Sequence, residues 1–100
     1  PTAYAPTVWI DAGRLAGTKT ILTSDLSAAF HKYAVKWEAN KQTFYFDGRE
    51  VYSVAVTMPD RMYIMLDLWY GSASGQPDST TPTGSGNSYT INYVRAWKAN

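Results

Sequence analysis

Apolar and polar residues alternate with a period of two along several short stretches of this chain, the pattern of strands buried mainly on one face. Residues 30–38 (FHKYAVKWE) put His31, Tyr33, Val35 and Trp37 on one side and Lys32, Ala34 and Lys36 on the other. A polar Ala39-Asn40-Lys41 turn leads to a second strand over residues 42–46, and Asp47-Gly48 joins that to a third over 50–56. An Asp-Gly pair between two such runs predicts a tight hairpin, because both central positions of the turn favour φ > 0. Met58-Pro59-Asp60 closes the unit. Residues 62–70 (MYIMLDLWY) predict another strand, with Met62, Ile64, Leu66 and Leu68 on one face and Tyr63, Met65, Asp67 and Trp69 on the other. Residues 88–97 (SYTINYVRAW) predict the last one.

The first third of the chain is less regular. Residues 4–10 (YAPTVWI) are β-branched and aromatic and stop at the turn signal Asp11-Ala12-Gly13. Pro6 inside them argues for an edge position or a bulge. Residues 12–23 are small and polar and predict a loop with a short strand at 20–22, while Ser24-Asp25-Leu26-Ser27 could cap one helical turn through Ala29. Residues 71–87, rich in Gly, Ser, Thr and Pro, predict a long loop of the kind that is functional or mobile. No repeat and no domain boundary interrupts the series, so residues 1–100 are expected to form a single unit. Short strands joined by turns, with almost no helix, indicate an all-β antiparallel sandwich or barrel.

Composition narrows the function classes. The longest nearly apolar stretch, 62–70, is interrupted by Asp67 and is too short to span a bilayer. Residues 1–7 have neither the basic start nor the apolar core of a signal peptide. The net charge is +1 with no block of like charges, so no nucleic-acid face is expected, and no membrane partner either. With no Cys, disulfides, thiolate catalysis and cysteine metal sites are excluded together. What stands out is the aromatic content, four Trp and eight Tyr in 100 residues. Trp and Tyr combine a flat apolar face with a polar edge, and sugar rings present the same mixture. A Tyr-rich β protein would also show it, since aromatics favour strands.

Candidate chemistry is sparse. His31 is the single histidine, so no ordinary zinc site can form, and its place at a strand start suits a structural role. Gly84-Ser85-Gly86 is not a nucleophile turn. Glycoside hydrolysis takes two carboxylates, about 5–5.5 Å apart in retaining enzymes, yet no strand here carries an acid-x-acid or acid-x-x-x-acid pair. Asp67 is alone on its strand; Asp47, Asp60 and Asp78 fall in turns or loops; Glu38 and Glu50 fall at strand ends. Asp67 does share a face with Met65 and Trp69. An inward carboxylate costs free energy unless donors or water meet it, and two arrangements supply them: an open aqueous cleft with Trp69 as a stacking platform, or a strand between two layers with Asp67 tied to backbone or Arg. The residues alone leave both open.

The order of motifs carries more. Phe30-His31-Lys32-Tyr33-Ala34-Val35-Lys36-Trp37, then Thr43-Phe44-Tyr45-Phe46-Asp47-Gly48-Arg49-Glu50-Val51, then Met62-Tyr63-Ile64-Met65-Leu66-Asp67-Leu68-Trp69, then Tyr93-Val94-Arg95 resembles glycoside hydrolase family 16. That family contains laminarinases, lichenases, carrageenases, agarases and bacterial exopolysaccharide glycanases. The resemblance runs over most of residues 24–97. It implies a concanavalin-like jelly roll whose concave sheet forms a glycan cleft, and retaining cleavage of internal β-glycosidic bonds by an E-x-D-x-(x)-E strand. That strand normally precedes the segment resembling 4–10, so the chain is expected to be the carboxy-terminal half of the domain, with catalytic carboxylates at none of its positions. The resemblance implies substrate-binding roles for Trp69, Asp67, Met65, Trp9 and Thr7, Asp67 standing where the family usually has Asn. Tyr33 and Trp37 match core positions. Asn92 falls where many members have an Asp that helps bind calcium, which counts against a metal site; no cofactor is implied. Polysaccharide or oligosaccharide is the expected partner, outside the cell or in the periplasm. Unpaired sheet edges would allow self-association or pairing with the amino-terminal half. A glycan-binding module that has lost its acids is the alternative.

Overall fold

Three small antiparallel sheets order the first part of the chain, in a computed structural model that describes residues 1–68, 76–81 and 83–99. Two compact units are present, Pro1–Arg61 and Met62–Asn100. In the first, β1 (Ala3–Tyr4) pairs with β4 (Ile21–Leu22), and β2 (Thr7–Asp11) pairs with β3 (Arg14–Thr18). The third sheet is a meander of β5 (Tyr33–Glu38), β6 (Lys41–Phe46) and β7 (Arg49–Val54).

The two small ladders form one ribbon interrupted at Ala5–Pro6. Pro6 has no N–H to donate, so pairing lapses beside it and resumes as β2; Lys19 N donates to the Pro6 carbonyl at 3.3 Å across the gap. The expected loop over 12–23 is therefore mostly strand. It escaped the alternation rule because β3 is small and irregular, and the small residue has a steric cause. A Cβ on Gly17 would collide with the Tyr52 hydroxyl and sit 3.1 Å from Val54 Cγ2. Close packing of ribbon on meander, and not backbone freedom, demands that glycine. Opposite Gly17 in the register lies Val8, 5% exposed and the buried hydrophobic residue of this unit.

Within the meander the alternation holds. Tyr33 faces Phe46, Val35 faces Phe44 and Trp37 faces Gln42 across β5–β6. The β6–β7 turn is the predicted tight hairpin, with Asp47 at φ 48° and Gly48 at φ 82°, the paired positive values that match the twist of the flanking strands. The ribbon lies against the aromatic face of this sheet. Tyr4 meets Tyr33 edge-on at 4.9 Å and stacks with Phe46 at 5.9 Å. Tyr33 and Trp37, matched to core positions, nonetheless remain 51% and 42% exposed. A narrow ribbon cannot cover a whole sheet face, and these two belong to the edge strand β5. Trp37 still anchors its surroundings, donating its indole N–H to the Met58 carbonyl at 3.3 Å.

Residues 24–29 form a hydrogen-bonded turn in place of the expected helical turn, organised by the Asp25 side chain. The Ser27 amide and hydroxyl both donate to Asp25 Oδ1, at 2.9 and 2.7 Å. The side chain offers the backbone an alternative to helix.

The second unit contains no paired strand among its described residues. Residues 62–68 and 88–99 carry strand-type sequences without a ladder, and Tyr63, Met65 and Trp97 are exposed. Strand composition supplies no hydrogen-bond partner by itself. A single 3-10 turn, Gly84–Asn87, lies between them. Asp78 organises a second turn by accepting from the Thr80 amide and hydroxyl at 2.7 and 2.6 Å.

Candidate glycan-binding face

On β2 the alternation separates a buried position from more exposed ones. Val8 points inward, so Thr7 and Trp9 point outward; Trp9 is 53% exposed. The register shifts on both sides of Trp9, between Val8 and Trp9 and again between Trp9 and Asp11. Bulges twist a strand and re-aim the side chain beside them, and here they bracket the indole. Asp11 and Arg14 close the end of the hairpin through a 2.9 Å ion pair.

Thr7 is held in a short chain of hydroxyls. Its Oγ1 donates to the Ala5 carbonyl at 3.0 Å and stands 2.8 Å from Thr18 Oγ1 on the facing strand. Thr18 was not among the residues expected from the sequence. The signal for it existed: counting outward from the Asp11–Arg14 turn brings Thr18 opposite Thr7, once 14–18 is recognised as a strand.

The remaining expected residues fall in the second unit. Met65 and Asp67 are both exposed, and Asp67 makes no hydrogen bond or ion pair among the described residues. Trp69, with Tyr70, lies outside the described residues. The structure thus brings Thr7 and Trp9 together.

The one titratable pair of note lies elsewhere. His31 Nδ1 is 2.7 Å from Asp47 Oδ2, and the Lys32 amide donates to Asp47 Oδ1 at 2.8 Å. These bonds, the Lys32 amide first and His31 second, hold the Asp47 carboxyl below the usual carboxylate range. An ionised carboxylate only accepts, so the His31 Nδ1 carries the shared proton. The ring stacks on Phe46 at 5.0 Å, and its Nε2 is buried without a partner among the described residues. This is a clamp between the start of β5 and the β6–β7 turn, as expected of a structural histidine. A shallow hollow of about 170 Å³ lined by Tyr4, Tyr33, Ala34, Val35 and Phe44 contains none of the expected site residues. Among the described residues no group of three or more His, Asp or Glu side chains could hold a metal ion, and no helix is long and apolar enough to cross a membrane.

The family model for glycosyl hydrolases family 16 matches residues 3–95. The chain belongs to that family. Its all-β, antiparallel architecture agrees with the family's jelly-roll fold. It is also similar to the Congo red hypersensitive protein 1 of Saccharomyces cerevisiae (strain ATCC 204508 / S288c), at 34% identity over 59 residues. That alignment covers 54% of this chain and 11% of the yeast protein. No solved structure matches.

Proposed function

We propose that this chain is the carboxy-terminal part of a retaining endo-β-glycanase domain, supplying part of its glycan-binding wall. The family match over residues 3–95 carries the proposal. Its two Glu and six Asp nowhere form an E-x-D-x-x-E or E-x-D-x-E strand, so the reaction needs carboxylates from a strand amino-terminal to Thr7. Retaining hydrolysis uses one carboxylate as nucleophile and the other as acid, then base. In this division of labour Trp9 and Thr7 hold the sugar while the upstream strand cleaves it; substrate-binding roles for Trp69, Asp67 and Met65 rest on their match to family positions alone. Secretion or export to the periplasm fits, because polysaccharides are met outside the cytoplasm.

The test compares residues 1–100 with a longer protein that adds the E-x-D-x-x-E strand, using release of reducing ends from neutral β-glucans. Expected is cleavage by the longer protein with retained anomeric configuration, and binding without cleavage by residues 1–100. Binding without cleavage by both proteins would establish the alternative, a glycan-binding module without catalysis.

A further inference from the structure

The polarity of the hydroxyl chain on the outer face of the ribbon defines what can bind there. Thr7 has one O–H, and it is given to the Ala5 carbonyl, which can only accept. The 2.8 Å bond to Thr18 must therefore run the other way, with Thr18 Oγ1–H donating to Thr7 Oγ1. Both hydroxyl protons are then spent inside the protein. Thr18 keeps both lone pairs in an exposed position, and Thr7 keeps one. The pair is a fixed acceptor.

Nearby cations do not reverse that character. Arg14 is engaged by Asp11 at 2.9 Å, and the Lys19 ammonium donates to the Val51 carbonyl at 3.3 Å. Beside the pair, about 7 Å along β2, stands the Trp9 indole. An apolar plate next to an acceptor edge suits a group with a C–H face and O–H donors on its rim. A carboxylate or sulfate would bring acceptors against acceptors.

We propose that Thr18, Thr7 and Trp9 form one subsite for an uncharged sugar unit, with Thr18 accepting a sugar hydroxyl and Trp9 stacking on the ring. This rests on the glycan reading above and goes further by naming Thr18 and a preference for neutral over acidic glycans.

Calorimetric titration of residues 1–100 tests it, with mixed-linkage β-glucan oligosaccharides as one probe and the same oligosaccharides oxidised to uronic acids as the other. Thr18→Val keeps the β-branched shape and removes the acceptor. It should weaken binding of the neutral probe roughly three- to tenfold, the size of one lost hydrogen bond, while loss of its exposed bond to Thr7 lowers the unfolding temperature only slightly. Thr18→Lys, which places donors and a positive charge at the same point, should move preference toward the uronate. If Trp9→Ala abolishes binding while Thr18→Val binds as the parent does, the subsite is overturned and the glycan reading stands. Equal affinity of the parent chain for both probes overturns the preference for neutral sugars. If the parent binds neither probe, or Trp9→Ala binds as tightly as the parent, the glycan reading itself fails.

Discussion

Gly17 shows how one residue can set the distance between two parts of a fold. No turn requires it and it carries no positive φ; its hydrogen occupies the space that Tyr52 and Val54 leave. A methyl group there forces the ribbon off the meander or swings the tyrosine ring aside. Gly17→Ala should therefore destabilise the chain by about 1–3 kcal/mol, the usual cost of overpacking, read as a shift in the urea midpoint. Adding Tyr52→Phe removes the colliding oxygen and should restore part of the loss, a non-additive result expected of residues in contact. Equal losses in the single and double variants would mean the strain lies elsewhere. The sequence shows a glycine at this point but not its neighbour, because a contact between residues 17 and 52 is visible only once both strands are placed. Thr18 was hidden for the same reason, whereas Trp9 was singled out only through the resemblance to the family.

Among the elements, the meander was the most legible. It has regular alternation, a polar turn at Ala39–Asn40 and an Asp-Gly turn that adopts the expected pair of positive φ values. The ribbon was half legible, since Pro6 flagged an interruption while the second arm, RLAGT, offers no period. Asp47 ties these elements together through the Lys32 amide and His31. Its carboxyl titrates below the usual range in the folded chain, so the stabilisation it gives is fully present above the unfolded value of about 3.9. It fades as pH falls through the lower folded value. Asp47→Asn retains a residue that tolerates the left-handed turn but removes the charge. The variant should melt below the parent at pH 7, and the gap should close on acidification through the carboxylate range. A gap that is constant with pH would show that the charge is irrelevant.

For the molecule as a whole, family membership was legible from motif order, because spacing between strand and turn signals survives where single residues vary. What alternation could not show is whether a strand-like run finds a neighbour. Residues 62–68 and 88–97 have the sequences of strands and no ladder among the described residues, so their amides should exchange with solvent within seconds to minutes. Those of β5–β7 should be protected by the opening free energy of the sheet. Hydrogen-exchange mass spectrometry of this chain decides it: strong protection in 88–97 would mean that segment is paired in solution. Of the four described ladders, β2–β3, β5–β6 and β6–β7 join consecutive strands and β1–β4 extends the β2–β3 hairpin outward, and the meander closes through turns of two residues. Pairing so close in sequence carries little loop-closure penalty and is quick to form. During synthesis, then, the meander can assemble as soon as Val54 leaves the ribosome, before the later segments have emerged.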